Sequence, residues 1–243
     1  MPARRAPILH RVLVLFDIDG TLLLGTPEAH TTALADAAQD VYGVPATADD
    51  VLAIAPAGRT DREIARLVLR RHGVADEVIA EGLAAWVARA SALYPALEPL
   101  LRPPRPAPGA AQALADLAAD GAALALLTGN LEPIAHAKMG AAGLGRWFAR
   151  GHGAFGSDHD RRDALVPIAV ARQGGADDVV VVGDTPRDIA CARAGAARCV
   201  AVTTGLYDAA SLADADAVAG GLPEAAAIIR GWIQSPTARA AAS

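Results

Sequence analysis

A pair of aspartates directly follows a run of apolar residues near the start of the chain. Asp17 and Asp19 come after residues 12–16, VLVLF, and are followed by Gly20 and Thr21. On a continued strand, residues two apart lie on the same side, so the two carboxylates would repel each other unless a cation or a proton lay between them. The pattern predicts a buried strand whose carboxyl end opens into a reaction site. The alternative is that the acids only begin a polar turn.

Two later apolar runs also end in polar groups. Residues 122–127 lead into Thr128-Gly129-Asn130, and residues 179–182 lead into Gly183-Asp184-Thr185. In open parallel sheets the ligand lies beyond the carboxyl ends of the strands, so the three endings meet at one place if the strands are neighbours. Asp184 is a candidate site residue because a strand of four valines has no structural need of an acid.

Helices and strands alternate through most of the chain that holds these endings. The patterns predict strands at residues 122–127, 179–182 and 199–204 and helices at residues 109–120, 131–142, 161–173 and 186–194. Short β-rich runs that alternate with helices indicate a parallel sheet in an α/β domain.

Residues 22–102 differ, because they contain helical patterns and no convincing strand. Thr26 and Pro27 suggest the N-cap and first turn of a helix that stops at Gly43, and Thr60 begins a second helix with a capping-box pattern. A third helix is predicted over residues 76–93. Residues 101–109, LRPPRPAPG, are too rich in proline for a helix or a strand, and we interpret them as a hinge.

Composition excludes several classes of protein. The chain has 243 residues, of which 53% are hydrophobic and 4% aromatic, as expected for a globular protein with a sizeable core. The net charge of −5 argues against a nucleic-acid partner. The short apolar run near the N-terminus fits neither a signal peptide nor a membrane span, which predicts a cytoplasmic protein with no membrane partner. Cys191 and Cys199 lack metal-ligand spacing and are expected to be buried free thiols.

Taken together, the three motifs resemble those of the haloacid dehalogenase-like superfamily, specifically its phosphatases with an inserted helical cap. The resemblance covers residues 10–205, and the sequences GRTD at 58–61 and DRRDALVPIA at 160–169 look most like phosphoglycolate-phosphatase-like members. It implies a Rossmann-like parallel-sheet core with an inserted all-helical cap domain. The expected boundaries are 1–21 and 104–235 for the core and 22–103 for the cap, with a disordered tail at 236–243.

The chemistry suits the acids, and the resemblance assigns them roles. Asp17 is the candidate nucleophile that forms an aspartyl-phosphate, and Asp19 is the acid and base that protonates the leaving alcohol and later activates water. The implied cofactor is Mg²⁺, held by Asp17, the backbone carbonyl of Asp19, and Asp184, with Asp188 in support. Asp188 is also well placed as the third residue of a helix, so capping alone would explain it.

The resemblance also implies phosphate contacts from Thr128, with Gly129 and Asn130 helping. An ordinary strand-to-helix turn with Asn130 as N-cap is the alternative. Arg59 is implied as a substrate contact, with a loop arginine as its alternative.

The family's lysine is missing from the expected region between the second and third motifs. The only lysine, Lys138, lies eight residues past Asn130, about 12 Å along a helix axis, so the spacing predicts that it cannot serve. Arg161 and Arg162 occupy the expected region, and the resemblance of residues 162–169, RDALVPIA, to the family favours Arg162, which keeps the positive charge. A solvated helix end is the alternative.

Other motifs carry no assigned chemistry. Residues 151–156 match G-x-G-x-x-G but follow no clear strand and precede no helix, and the six histidines have no metal-ligand spacing. The sequence therefore predicts a Mg²⁺-dependent phosphatase of a small phosphorylated metabolite. A phosphosugar mutase, a 2-haloacid dehalogenase and a non-catalytic phosphometabolite sensor remain as alternatives.

Overall fold

A computed structural model describes residues 11–101 and 103–234 of the chain. The predicted disordered tail at 236–243, the basic N-terminal residues and His10 lie outside the described residues. The strands are β1 (Val12–Phe16), β2 (Leu23–Leu24), β3 (Arg105–Pro106), β4 (Ala123–Leu127), β5 (Gly153–Ala154), β6 (Asp178–Gly183), β7 (Arg198–Val202) and β8 (Ala217–Ala219). The helices are α1 (Glu28–Tyr42), α2 (Ala48–Leu52), α3 (Asp61–Arg71), α4 (Asp76–Leu97), α5 (Ala110–Ala119), α6 (Glu132–Ala141), α7 (Leu165–Arg172), α8 (Pro186–Ala194) and α9 (Leu222–Gln234).

Six strands form one parallel sheet in the order β5-β4-β1-β6-β7-β8. Strand β1 lies between β4 and β6, with Phe16 opposite Leu126 on one side and Val182 on the other. The three polar strand endings therefore lie side by side at one edge of the sheet. The predicted α/β fold with a parallel sheet is confirmed.

Both faces of the sheet are covered, which explains why its central strands read as unbroken apolar runs. Val14 and Phe16 pack into a core that includes residues of α5 and α9, whereas Leu13 and Leu15 pack into a core that includes residues of α7 and α8. The free thiols Cys191 and Cys199 belong to the second core, and both are buried as predicted.

Helices α1 to α4 enclose a separate hydrophobic core around Trp86 and Tyr94, as expected for an inserted helical cap. The exact domain boundaries stay a prediction. Within the described residues, no helix is both long and apolar enough to cross a membrane.

The prediction that residues 22–102 contain no strand is wrong, and so is the exclusion of a strand from the proline-rich stretch. Leu23 and Leu24 pair antiparallel with Pro106 and Arg105, so the two chain connections to the helical unit run side by side as a short ribbon. Proline is tolerated there because an edge strand leaves one side of the backbone unpaired. The ribbon thus includes part of the stretch 101–109 that we interpreted as a hinge.

Several helix boundaries differ from the prediction by a few residues. Helix α1 begins at Glu28 with Pro27 as its N-cap, so Thr26 does not cap it. The predicted helix at 161–173 is a 3₁₀ turn at Arg162–Ala164 followed by α7. The Gly43 stop and the Thr60 N-cap are confirmed, since Gly43 adopts a left-handed conformation and the Thr60 side chain accepts a hydrogen bond from the Glu63 amide.

Candidate active site

A cavity of about 600 Å³ lies where the strand ends meet the helical unit. Residues from the three motifs line it, namely Asp17, Asp19, Gly129, Asn130 and Asp184, together with Arg162. Thr128 is fully buried next to them, and its hydroxyl accepts hydrogen bonds from the backbone and side-chain amides of Asn130. The N-cap of α6 is Leu131, so Asn130 does not cap that helix as the alternative interpretation supposed.

Three buried carboxylates form a cluster at the base of this cavity. Asp17, Asp184 and Asp188 each place one oxygen within 4.8 Å of the others. Asp17 continues strand β1, since its backbone N–H donates to the Val182 carbonyl at 2.9 Å. The cluster is therefore fixed by the ends of adjacent strands and by the start of α8.

The electrostatics of the cluster call for a cation. Burial raises the pKa of Asp17 to about 6, with Asp188 and Asp19 adding to the rise and Arg162 opposing it. Burial, with the nearby charges of Asp17 and Asp188, raises the pKa of Asp184 to about 8. Hard carboxylate oxygens at this separation are the donors that Mg²⁺ prefers. The residues present thus fit a divalent cation.

Asp184 occupies its position because two glycines make room for it. A Cβ atom on Gly20 would lie 2.2 Å from the Asp184 carboxylate, and one on Gly205 would lie 1.8 Å from it. Gly20 also has a φ of +86°, which L-residues with side chains rarely adopt. Thr21 also helps to position Asp184, since its hydroxyl donates a hydrogen bond to the Asp184 carboxylate at 3.1 Å.

The two carboxylate oxygens of Asp188 contact different residues, Thr185 and Arg162. One oxygen accepts hydrogen bonds from the backbone N–H and hydroxyl of Thr185, which completes a reciprocal capping box at the start of α8. The other oxygen pairs with Arg162. The capping interpretation of Asp188 is therefore correct, and its second oxygen still faces the cluster.

Arg162 is the cation next to the acids. Its guanidinium lies 3.0 Å from the Asp17 carboxylate and also contacts Asp188, and it is buried. The carboxylates of Asp17 and Asp188 raise the pKa of Arg162 against the effect of its burial, so it stays charged. Arg161 instead points outward and pairs with Asp163. The geometry thus distinguishes the two arginines, although the catalytic role of Arg162 stays a prediction.

The prediction that Lys138 cannot reach the site is wrong. Its Nζ atom lies 2.6 Å from the Asp19 carboxylate and 2.6 Å from the Asn130 side-chain carbonyl, and the side chain is fully buried. The distance along the helix was a poor guide because long side chains on a helix point back toward its N-terminus. Burial raises the pKa of Asp19, but Lys138, His30 and Asn130 outweigh it and hold that pKa below its ordinary value.

His30 and Asp61 extend this network into the helical unit. The His30 ring lies 3.2 Å from Lys138 through Nδ1 and 2.9 Å from the Asp61 carboxylate through Nε2. The same Asp61 oxygen accepts a hydrogen bond from the Leu131 backbone at 2.8 Å. Sequence reasoning did not identify His30, Asp61 and Lys138 as site residues, because their spacings of 31 and 77 positions form no motif.

The helical unit touches the second motif directly. The Asp61 backbone N–H donates to the Gly129 carbonyl at 2.7 Å, and a Cβ atom on Gly129 would lie only 1.8 Å from the Arg59 carbonyl. Only glycine permits this approach. The Arg59 side chain lines the cavity, but its guanidinium pairs with Glu63 and donates to the Ala55 carbonyl. Its predicted substrate contact stays a prediction.

The fold and site define a class of protein, an α/β enzyme core whose strand-end acid cluster is covered by inserted helices. A family model for the haloacid dehalogenase-like hydrolases matches residues 14–193, and a second model for HAD-hydrolase-like proteins matches residues 162–225. The chain belongs to the haloacid dehalogenase-like hydrolase family, which confirms the resemblance stated from the motifs. A search of curated proteins finds no significant match.

Solved structures share the fold at low sequence identity. A predicted phosphatase from Clostridium acetobutylicum has a TM-score of 0.67 and 16% identity, covering 91% of this chain and 98% of that one. A predicted phosphoglycolate phosphatase from Haemophilus somnus 129PT has a TM-score of 0.62 and 20% identity, covering 89% and 97%. A provisionally assigned beta-phosphoglucomutase from Bacteroides vulgatus has a TM-score of 0.63 and 20% identity, covering 93% and 89%. These similarities show the fold alone.

Proposed function

We propose that this protein is a Mg²⁺-dependent phosphatase that hydrolyses the phosphomonoester of a small metabolite through an aspartyl-phosphate on Asp17. The observation that carries the proposal is the buried cluster of Asp17, Asp184 and Asp188 within 4.8 Å, with Asp19 and Arg162 beside it on the same cavity. Membership in the haloacid dehalogenase-like hydrolase family supports it.

The reaction has two displacements at phosphorus. In the first, an Asp17 carboxylate oxygen attacks phosphorus and the bond to the ester oxygen breaks. The departing alcohol takes its proton from the protonated form of Asp19, which is the minor form at neutral pH because the pKa of Asp19 is lowered. In the second, a water attacks phosphorus, Asp19 takes a proton from that water, and the bond to Asp17 breaks. Phosphate leaves and both carboxylates return to their starting states.

The remaining residues bind and neutralise charge. Asp17, Asp184 and Asp188, with the backbone carbonyl of Asp19, would hold Mg²⁺, which would offset the repulsion among the carboxylates and the phosphoryl oxygens. Arg162 orients Asp17 and supplies the positive charge that the missing motif lysine would provide. Gly129 and Asn130, with the Thr128 hydroxyl, form the phosphoryl-binding turn.

Lys138 and Asn130 act on the second carboxylate. Both donate to Asp19, so its side chain is held in one orientation at the cavity. We assign Lys138 as a positioning residue for Asp19, with His30 and Asp61 connecting it to the helical unit.

Release of inorganic phosphate from a panel of phosphorylated metabolites tests the proposal, with Mg²⁺ or with EDTA. Phosphoglycolate is the first ester to try, given the motif resemblance and the description of the Haemophilus somnus structure. We expect release that requires Mg²⁺ and disappears in Asp17→Asn. Halide release from a 2-haloacid that is insensitive to EDTA would instead support a dehalogenase, a reaction that Asp19 argues against.

A phosphosugar mutase is the second candidate, favoured by the similarity to the provisionally assigned beta-phosphoglucomutase. Product analysis separates the two, because a mutase returns an isomerised sugar phosphate and a phosphatase returns the free alcohol. A non-catalytic sensor was suggested only by the missing lysine, and Arg162 next to Asp17 weakens that suggestion.

A further inference from the structure

Outside its acid cluster, the cavity is lined mainly by apolar side chains. Helices α1 to α3 contribute Leu34, Val51, Leu52 and Ile64, and the loop after β7 contributes Leu206 and Tyr207. Leu34, Val51 and Ile64 also belong to the core of the helical unit, so their positions are fixed by packing. The five aliphatic residues and the Tyr207 ring together form what we call the apolar lining. The hydroxyls of Thr26, Thr31, Thr204 and Tyr207 belong to residues that line the same cavity.

Two of the lining leucines are strongly exposed. Four large hydrophobic side chains are strongly exposed among the described residues, and Leu206 at 88% and Leu52 at 48% both line this cavity. The other two, Val78 and Leu100, lie elsewhere. Exposed apolar side chains that line one cavity offer contact area to an apolar group bound there.

Outside the acid cluster, the charged side chains Arg59 and Asp61 of the cavity are already engaged by protein groups. Arg59 is engaged by Glu63 and the Ala55 carbonyl, and Asp61 by His30 and the Leu131 backbone. A sugar or a short hydroxy acid would leave hydroxyl or carboxylate groups against aliphatic carbon, where an unpaired polar group is costly. The volume of about 600 Å³ is also far more than a two-carbon acid requires.

We propose that the substrate is the phosphate monoester of an alcohol with a largely apolar body, aliphatic or aromatic, which contacts the apolar lining while its phosphate lies at Asp17. This inference rests on the proposed phosphatase function. It replaces phosphoglycolate and sugar phosphates as preferred substrates with a different chemical class.

A chain-length series tests the inference. Ethyl, butyl and hexyl phosphate share the same leaving-group chemistry, and phosphoglycolate and glycerol phosphate are the polar comparators. We expect kcat/KM to rise about fourfold for each methylene from ethyl to hexyl, since burying a methylene is worth about 0.8 kcal/mol. Hexyl phosphate should exceed both polar esters.

Variants of the exposed leucines locate the effect. The double variant Leu52→Ser with Leu206→Ser should reduce the ratio of kcat/KM for hexyl over ethyl phosphate by about tenfold. Leu100→Ser is the matched control, because Leu100 is 79% exposed but does not line the cavity, and it should leave the ratio unchanged.

The outcomes separate this inference from the proposed function. A flat or inverted chain-length series, or faster hydrolysis of phosphoglycolate or glycerol phosphate, would overturn the apolar substrate while leaving the phosphatase intact. An unchanged hexyl-to-ethyl ratio in the double leucine variant would overturn the assigned lining. Absence of phosphate release from every ester would instead contradict the phosphatase itself, and the inference would fail with it.

Discussion

The cavity joins two surfaces of opposite character. At the strand ends, Asp17 and Asp184 are buried, carry raised pKa values and are held in place by the central strands β1 and β6. Across the cavity, helices α1 to α3 present aliphatic carbon. The difference teaches that the sheet holds the acid cluster, whereas the inserted helices supply most of the aliphatic surface that faces it, so the two can be varied separately.

A short polar chain connects the two surfaces. The Asp61 carboxylate contacts the His30 ring and accepts a hydrogen bond from the Leu131 backbone. The His30 ring contacts Lys138, whose ammonium group donates to Asp19. Asp19, the proposed acid and base, is thus oriented partly by the helical unit. The two surfaces are separate in composition but linked through Asp19.

The largest expected effect comes from replacing Asp17, the proposed nucleophile at the strand ends. Asp17→Asn should reduce kcat by at least about 10⁴-fold, because the amide cannot form the aspartyl-phosphate. Phosphate release measures this, and circular dichroism should show an intact fold. Asp163→Asn is the matched control, since Asp163 pairs with Arg161 beside the site but does not touch Asp17. Activity retained in Asp17→Asn would exclude the mechanism.

The next largest effect tests the link between the surfaces. Lys138→Met should reduce kcat on an alkyl phosphate by about 10²-fold, because Asp19 loses the ammonium group that orients it. The initial burst of nitrophenolate from p-nitrophenyl phosphate should persist, since that leaving group needs no proton. A double-mutant cycle with Asp19→Asn should be strongly non-additive. Additive losses, or a burst lost along with alkyl phosphate turnover, would assign Lys138 a purely structural role.

The acid cluster also predicts how stability depends on pH and metal. Asp17 and Asp184 have folded-state pKa values of about 6 and 8, above the ordinary value of 3.8, so each binds its proton more tightly when folded. Their stabilising contribution to the free energy of unfolding is fully present below about pH 4 and is lost as the pH rises toward 8. The metal-free protein should therefore become less stable between about pH 4 and pH 8.

Mg²⁺ at about 100 times its dissociation constant should counteract the loss of stability at pH 8. We expect it to raise the melting temperature by about 5–10 °C. Asp184→Asn should raise the melting temperature of the metal-free protein at pH 8 by several degrees and weaken the response to Mg²⁺. Calorimetry measures both. An equal response to Mg²⁺ in wild type and variant would place the metal elsewhere.

The strand ends were predictable from sequence because each motif follows its own apolar run. Asp17 directly follows the apolar run 12–16, and Asp184 follows the run 179–182 after one glycine, and parallel topology brings such ends together. Helix α9 and strands β5 and β8 were not assigned, since two or three residues of strand carry too little pattern and α9 lies beyond the last motif.

The helical surface was much less predictable. His30, Asp61 and Lys138 meet only through tertiary contacts, and Asp61 looked like an ordinary first-turn acid of α3. The ribbon of β2 and β3 was also missed, because its pairing joins residues about 80 positions apart in a proline-rich context. Local patterns find residues that follow one element, but not side chains that several elements bring together.

The smallest expected effect concerns Arg59, the cation of the helical surface. If Arg59 contacts the substrate body, as the sequence predicts, the loss in Arg59→Gln should depend on the charge of that body. We expect kcat/KM to fall about threefold or less for butyl phosphate and about tenfold for phosphoglycolate, whose carboxylate would face the guanidinium. Arg62→Gln is the control, because Arg62 lies three residues further on in α3, pairs with Asp160 and does not line the cavity. Equal small losses on both esters would mean that Arg59 does not contact the substrate and only pairs with Glu63. The apolar lining would then bind the substrate body without help from a positive charge.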